Sequence, residues 1–148
     1  MPFLVTAVKQ EKNHMRKIII STLSLLILGS VAVAKPSLWS YERIDTGLFQ
    51  IGIAWGVKEN CSVLKEHRLN GITFSLGLYN YAKSQGYSHD EVRDFLDSDA
   101  EKEKLRARVT TYFKNQGLNP DTQNALCQYG ETQIANGTQV GRLLRKSN

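Results

Sequence analysis

A short apolar segment near the N-terminus determines how much of this chain is present in the mature, folded protein. Its basic head is Arg16-Lys17, its apolar centre is Ile18–Leu28, and its small-residue end is Ala32-Val33-Ala34. That order is typical of a signal peptide. The 17 residues from Ile18 to Ala34 are also fewer than the roughly 20 that a membrane-spanning helix needs. We predict a cleaved signal peptide at residues 1–34, with an uncleaved anchor as the alternative.

Cleavage after Ala34 would leave a mature chain of 114 residues, Lys35–Asn148, which suits one domain with a modest core. Met15 begins a more compact leader than Met1 does, so residues 1–14 are interpreted as an upstream extension. The mature part holds 15 Lys and Arg against 13 Asp and Glu, so most of the net charge of +5 belongs to the leader. A nucleic-acid partner is therefore not expected, and the predicted location is the bacterial periplasm.

Export affects the expected oxidation state of the two cysteines, Cys61 and Cys127, which both lie in the mature part. In an oxidising compartment an even pair of cysteines is most simply one disulfide. A redox-active pair is usually spaced C-x-x-C, and these two are far apart in the sequence. Closing so long a loop stabilises a domain by roughly 4 kcal/mol on the chain-entropy estimate. We predict a structural disulfide, with free or catalytic thiols as the alternative.

Apolar spacing predicts an all-α fold, a small bundle of about four to five helices. Residues 72–79 fit the alternation of a strand as well as two helical stripes, and the length of the segment favours a helix packed at the centre of the domain. Asn70-Gly71 is predicted as a break before that helix. Three glycines interrupt the first helix and indicate either close helix approach or a glycine-lined cleft: Gly47, Gly52 and Gly56. The apolar stripe of that first helix follows 3-4 spacing: Tyr41, Ile44, Leu48, Ile51 and Trp55.

The later helices are predicted from their ends. Two matches to the capping-box spacing, Ser88 with Glu91 and Ser98 with Glu101, predict helices at about 89–97 and 99–116. Asn119-Pro120 predicts the start of another helix, with asparagine as the cap and proline in the first turn.

Asn136-Gly137 is predicted to stop that last long helix. The residues from about 138 are then left as a flexible C-terminal tail of the single domain 35–148. Three apolar residues of the tail could still dock on the domain: Val140, Leu143 and Leu144.

The mature chain offers little that could carry catalysis or bind a cofactor or a metal. Its two histidines, His67 and His89, lie among charged residues or beside a helix cap, where a solvated role is expected. The sequence has no P-loop, dinucleotide fingerprint or G-x-S-x-G elbow. The acidic run at 97–101 lacks the glycine and the final glutamate of a calcium loop. We expect no enzyme activity, no cofactor and no metal.

The leader and three later stretches carry a resemblance to a known family: "LWSYERIDTGLFQIG", "KENC" and "ALCQYG". They are similar to a family of small exported bacterial proteins of unknown function, whose members sometimes carry the label of an NADH dehydrogenase E-type subunit. The resemblance covers nearly the whole mature chain and implies a helical domain without assigned activity, encoded beside or attached to a respiratory complex. The label conflicts with the chemistry, because that subunit holds an iron–sulfur cluster on four cysteine thiolates and this chain has two cysteines.

Three function classes remain open. A non-enzymatic periplasmic interaction protein, such as an accessory subunit of a membrane (respiratory) complex, is favoured. A periplasmic chaperone, or a toxin- or lysozyme-neutralising protein, is the alternative, and a small enzyme or ligand carrier is third. Most aromatic residues are predicted in the core by their spacing, but Trp39 lies outside the main stripe and is a candidate partner contact. An exposed apolar patch would favour the first two classes, and an enclosed apolar pocket the carrier.

Overall fold

The computed structural model describes residues 34–119 and 123–147 of the chain. The chain divides into two units, Met1–Lys35 and Pro36–Asn148, and every element given below lies in the second. The predicted signal peptide at 1–34 lies outside the described residues except for Ala34, so it stays a prediction. Within the described part, no helix is both long enough and apolar enough to cross a membrane.

The described residues form six α-helices, one 3-10 turn and a two-stranded sheet, which confirms the predicted all-α fold class. The number of helices exceeds the predicted four to five because the C-terminal segment adds a short one. The elements, in chain order, are the 3-10 turn Leu38–Ser40, α1 Glu42–Glu59, β1 Leu64–Glu66, α2 Arg68–Ser84, α3 His89–Asp97, α4 Asp99–Asn115, α5 Gln123–Ala135, α6 Gln139–Arg142 and β2 Leu144–Lys146.

Both predicted capping sites begin a helix, but only one is a complete box. At α3 the Glu91 backbone donates to Ser88 Oγ at 3.1 Å, and the Ser88 backbone donates to the Glu91 carboxylate at 2.6 Å. At α4 the Glu101 backbone donates to Ser98 Oγ at 3.4 Å. The Glu101 carboxylate accepts from the indole of Trp39 instead of returning to Ser98. The second cap is therefore one-sided because a tertiary contact occupies its glutamate.

Glycines after the helices end three of them, whereas the predicted break at Asn70-Gly71 is wrong. Gly86, Gly117 and Gly137 have φ of +89°, +69° and +60°, a backbone conformation that glycine adopts without strain. α2 begins at Arg68 and continues through Asn70-Gly71 as one helix to Ser84, so residues 72–79 are helical. The predicted helix start at Asn119-Pro120 falls at the edge of residues 120–122, which lie outside the described residues, and α5 is described from Gln123.

α1 is the central helix of the domain. Its C-terminal half belongs to a core with α4, α5 and the C-terminal segment, formed around Val57, Phe113 and Leu126. Its N-terminal half belongs to a second core with the 3-10 turn, α2 and α3, which includes Ile44 and Ala82. α2 had been expected at the centre, but Leu78 and Ala82 are the buried residues of this helix. That prediction is wrong because α2 packs on one side of α1 and leaves its other apolar stripe outside.

The predicted disulfide between Cys61 and Cys127 is present in the structure. Cys61 follows the end of α1 and is 1% exposed, Cys127 lies within α5, and their Cα atoms are 5.2 Å apart. The bond therefore joins the segment after the first long helix to the last long helix of the domain.

The C-terminal segment is not the flexible tail that the sequence predicts. Residues 139–142 form α6, and β2 pairs antiparallel with β1 so that Leu64 lies opposite Lys146 and Glu66 opposite Leu144. The segment is fixed because its apolar residues complete the larger core: Val140, Leu143 and Leu144 are all buried. Docking of these residues was the option that the sequence left open.

Candidate functional site

Large apolar side chains are exposed on one side of the domain. Four of them line the same groove: Trp55 of α1, Ile72 and Leu76 of α2, and Leu96 of α3, which are 49–57% exposed. Single exposed apolar residues are normal on protein surfaces, but contiguous ones mark contact sites. The groove, here called the Trp55 groove, is therefore the strongest candidate site in the described residues.

The Trp55 groove lies between α1, α2 and α3, is open to solvent and has a volume of about 820 Å³. Ile51 and Ala54 of α1 line it together with Tyr79 of α2 and Leu144 of the C-terminal strand. Ile72, Leu76 and Tyr79 recur at the i, i+4, i+7 spacing of one helix face. α2 thus turns one apolar stripe to the groove, while Leu78 and Ala82 face the core.

A second apolar groove lies between α1 and α4 and has a volume of about 410 Å³. We call it the glycine groove, because Gly52 and Gly56 line it from α1 opposite Val109 and Phe113 of α4. Trp55 and Ile51 line both grooves. The two grooves therefore adjoin at Ile51 and Trp55, and together they are here called the apolar face.

The charged side chains that line this face are mostly cations. Lys58 and Arg68 line the Trp55 groove together with one carboxylate, Glu66. Lys102 and Arg106 line the glycine groove. The apolar face thus has a cationic rim, although acidic and basic residues are nearly balanced over residues 35–148.

The cations of the rim differ in how far they are already paired. Lys58 Nζ lies 2.7 Å from the Glu59 carboxylate, and this hydrogen bond raises the pKa of Lys58 above its ordinary value. Two further cations of the rim form exposed ion pairs: Lys102 with Asp99 at 3.8 Å and Arg106 with Glu103 at 3.4 Å. Because the side chains of these pairs are exposed, each pair contributes little to stability. Arg68 has no ion pair within residues 34–119 and 123–147.

The family of unknown function DUF5333 matches residues 36–145, which include both grooves and both cysteines. The chain belongs to this family. The expected resemblance to small proteins of unknown function is therefore confirmed, while no match supports the NADH dehydrogenase label. No curated protein and no solved structure matches the chain.

Trp39, the candidate partner contact, is engaged within the DUF5333 domain itself. Its indole nitrogen donates to the Glu101 carboxylate, and its ring meets Phe95 edge-on at 5.3 Å. Lys104 and Arg108 lie over the same ring at 5.2 Å and 5.3 Å. Trp39 is half-buried and holds the 3-10 turn against α3 and α4, and a partner contact through its remaining surface stays a prediction.

The two histidines of the DUF5333 domain have separate local contacts. His67 Nδ1 accepts from the Asn70 backbone at 3.4 Å and so caps α2. His89 Nδ1 lies 3.3 Å from the hydroxyl of Tyr79. In the part of the chain that the structure describes, no three His, Cys, Asp or Glu side chains are placed to hold a metal ion.

Sequence reasoning missed the residues of the apolar face because it placed them in the core. Trp55 ends the apolar stripe of α1, and Ile72 and Leu76 belong to one of the two stripes of α2. A signal was nevertheless present. A helix that packs on one side needs one apolar stripe, so the second stripe of α2 is in excess of what its own packing requires.

Proposed function

We propose that this DUF5333 protein is a non-enzymatic protein-binding module of the bacterial periplasm, acting as an accessory of a membrane complex. The observation that carries the proposal is the contiguous exposure of Trp55, Ile72, Leu76 and Leu96 in one open groove. Burying apolar surface against a partner contributes about 25 cal/mol per Å². A groove with such a lining therefore favours a protein partner, and its open form does not favour an enclosed carrier site.

Two further features support the compartment. The Cys61–Cys127 disulfide fits an oxidising environment, because such bonds are rare in the cytosol. The second feature is the leader-like sequence at 1–34, which fits export from the cytoplasm. Mature protein from cells should begin at Lys35, and an intact mass that still includes Ile18–Leu28 would instead make the protein membrane-anchored.

Site-specific photocrosslinking in cells tests the binding function directly. Leu76 is replaced by p-benzoylphenylalanine, and the matched control places the same group at Val63, which is similarly exposed but lines neither groove (54% and 50%). We expect an ultraviolet-dependent adduct from position 76 in the membrane fraction and none from position 63. Mass spectrometry of the adduct identifies the partner.

The pattern of adducts separates the function classes. One dominant adduct that disappears when Trp55→Ala is added supports a dedicated partner. Many adducts of unrelated proteins would instead favour a periplasmic chaperone, and a single secreted hydrolase or toxin would favour a neutralising role. Equal labelling at positions 76 and 63 would contradict a binding role for the Trp55 groove.

A further inference from the structure

We infer that the Trp55 groove takes an amphipathic α-helix of the partner protein whose polar side is acidic. This inference rests on the proposed protein-binding function and specifies the chemistry of the bound segment. It follows from three properties of the apolar face: its helical walls, its concave shape and its cationic rim.

The helical walls favour a helix over an extended strand. The Trp55 groove is lined mainly by α1, α2 and α3, whose backbone amides and carbonyls are largely used within the helices themselves. Glu66 of β1 and Leu144 of β2 also line it, and these two residues lie opposite each other in the two-stranded sheet. An extended peptide laid there would bury backbone groups without partners, at a cost of about 1–3 kcal/mol for each group. A helix satisfies its own backbone and presents apolar anchors at i, i+3, i+4 and i+7. Such anchors match the apolar stripe of Ile72, Leu76 and Tyr79 on α2.

The cationic rim selects acidic residues beside the anchors. Lys58 and Arg68 line one groove, Lys102 and Arg106 line the other, and Glu66 is the one carboxylate among the lining residues of the two grooves. Arg68 has no ion pair in the described part of the chain and is thus open to a partner carboxylate. Complementary charges across an interface speed association and exclude wrong partners.

The same features disfavour two other occupants. A second copy related by two-fold symmetry would present the same patch, so it would bring one cationic rim against another. A lipid surface is bound by apolar groups that protrude into it, whereas Trp55, Ile72, Leu76 and Leu96 line a concave groove of about 820 Å³.

Three synthetic helical peptides of about 16 residues test the inference on the mature protein. The first carries Leu and Phe at the four anchor positions and Glu on the polar side. The second has Lys in place of every Glu, and the third keeps the composition of the first with the anchors scrambled. Titration is followed by fluorescence anisotropy of a labelled peptide. We expect the first peptide to bind at least ten-fold more tightly than either of the others, and more weakly as salt is raised.

Charge reversal at the rim supplies the matched comparison. Arg68→Glu combined with Arg106→Glu places one reversal in each groove and should weaken binding of the first peptide ten-fold or more. Lys83→Glu reverses an exposed cation of α2 that lines neither groove and should leave binding unchanged. Circular dichroism and thermal melts establish that each variant is folded.

The possible results separate the inference from the proposed function. Equal binding of the Glu and Lys peptides, or no binding of any peptide, overturns the inference, while a site-dependent adduct from position 76 would still support a protein-binding role. Tighter binding to phosphatidylglycerol vesicles than to the first peptide overturns it in favour of a membrane surface. A dimer in sedimentation that Leu76→Asp dissociates overturns it in favour of a second copy.

Discussion

At Gly52 and Gly56 the absence of a side chain lets α4 lie directly against the backbone of α1. A Cβ atom at Gly52 would lie 2.9 Å from Val109 Cγ2, and one at Gly56 would lie 2.8 Å from Phe113 Cε2. Both distances are too short for ordinary contact. The close helix approach that the sequence allowed is present at both glycines, and the same two glycines also line the open groove beside the contact.

Alanine at two helical glycines should therefore have opposite effects. Gly52→Ala pushes Val109 and Leu105 away from α1, which should cost about 1–3 kcal/mol of stability. This cost outweighs the gain in helix propensity of about 1 kcal/mol. A Cβ atom at Gly77 of α2 would meet nothing within 4 Å apart from its chain neighbours and the nearby backbone of its own helix, so Gly77→Ala should gain up to about 1 kcal/mol. Urea unfolding measures both changes in free energy. Stabilisation by both substitutions would contradict the close packing of α1 on α4.

Tyr129 gives the domain a specific sensitivity to alkali. Burial, followed by the hydrogen bond to the Tyr112 hydroxyl at 3.0 Å, raises the pKa of Tyr129 above its ordinary value. The unfolded chain therefore loses this proton near pH 10 while the folded chain retains it, so stability falls as pH rises above about 10. Tyr129→Phe should make that fall shallower in urea unfolding between about pH 8 and pH 11. An unchanged slope would show that this hydroxyl does not contribute.

At the scale of the elements, the sequence predicted those helix ends that are fixed by interactions between neighbouring residues. Ser88 with Glu91 predicted the bounds of α3 to the residue, and Asn136-Gly137 marked the end of α5. The alternation at 72–79 could not distinguish a strand from a helix, and it could not tell which stripe of α2 faces solvent. The periodicity of apolar residues shows which faces of an element are apolar, but it does not show which other elements pack against those faces. β1 and β2 were missed because each has three residues and its partner lies about 80 residues away.

The contact between α1 and α4 depends on a charged pair as well as on glycines. Arg108 donates to both carboxylate oxygens of Asp45, at 2.6 Å and 2.9 Å, and both side chains are about one-third exposed. The guanidinium also lies 5.1 Å from the centre of the Phe49 ring. Two parallel hydrogen bonds to one carboxylate add geometric specificity to the ion pair.

A double-mutant cycle on Asp45→Asn and Arg108→Gln should give a coupling energy of about 1 kcal/mol, at the upper end for partly exposed pairs. The matched control is the cycle on Glu103 and Arg106, an exposed i, i+3 pair at 3.4 Å within α4. Its coupling should be about 0.3 kcal/mol. Unfolding in urea supplies the free energies, and equal couplings would mean that the bidentate geometry adds nothing between α1 and α4.

At the scale of the whole domain, the disulfide and the small sheet act on the same region. Cys61 lies three residues before the start of β1 at Leu64, and β1 pairs with β2 at the other end of the chain. Leu64 of β1 and Leu144 of β2 are both buried in the core that contains Cys61. The end of α1 is thus held to α5 by a covalent bond and to the C-terminal segment by backbone pairing.

The Cys61–Cys127 bond should therefore supply a large part of the stability. It closes a sequence separation of 66 residues, for which the chain-entropy estimate is roughly 4 kcal/mol. Cys61→Ala and Cys127→Ala should each lower the melting temperature by about 10 °C or more. The double variant should be little worse than either, because both substitutions remove the same bond.

Reduction provides the control for these cysteine variants. Dithiothreitol should lower the melting temperature of the wild-type protein towards that of the double variant and should leave the double variant unchanged. Non-reducing mass analysis should find both thiols oxidised within one chain. Full stability of the single variants would show that the bond does not stabilise the domain. If those fully stable variants also lost the adduct from position 76, the cysteines would act in partner binding. The shape of the grooves would then depend on the disulfide, whereas the stability of the fold would not.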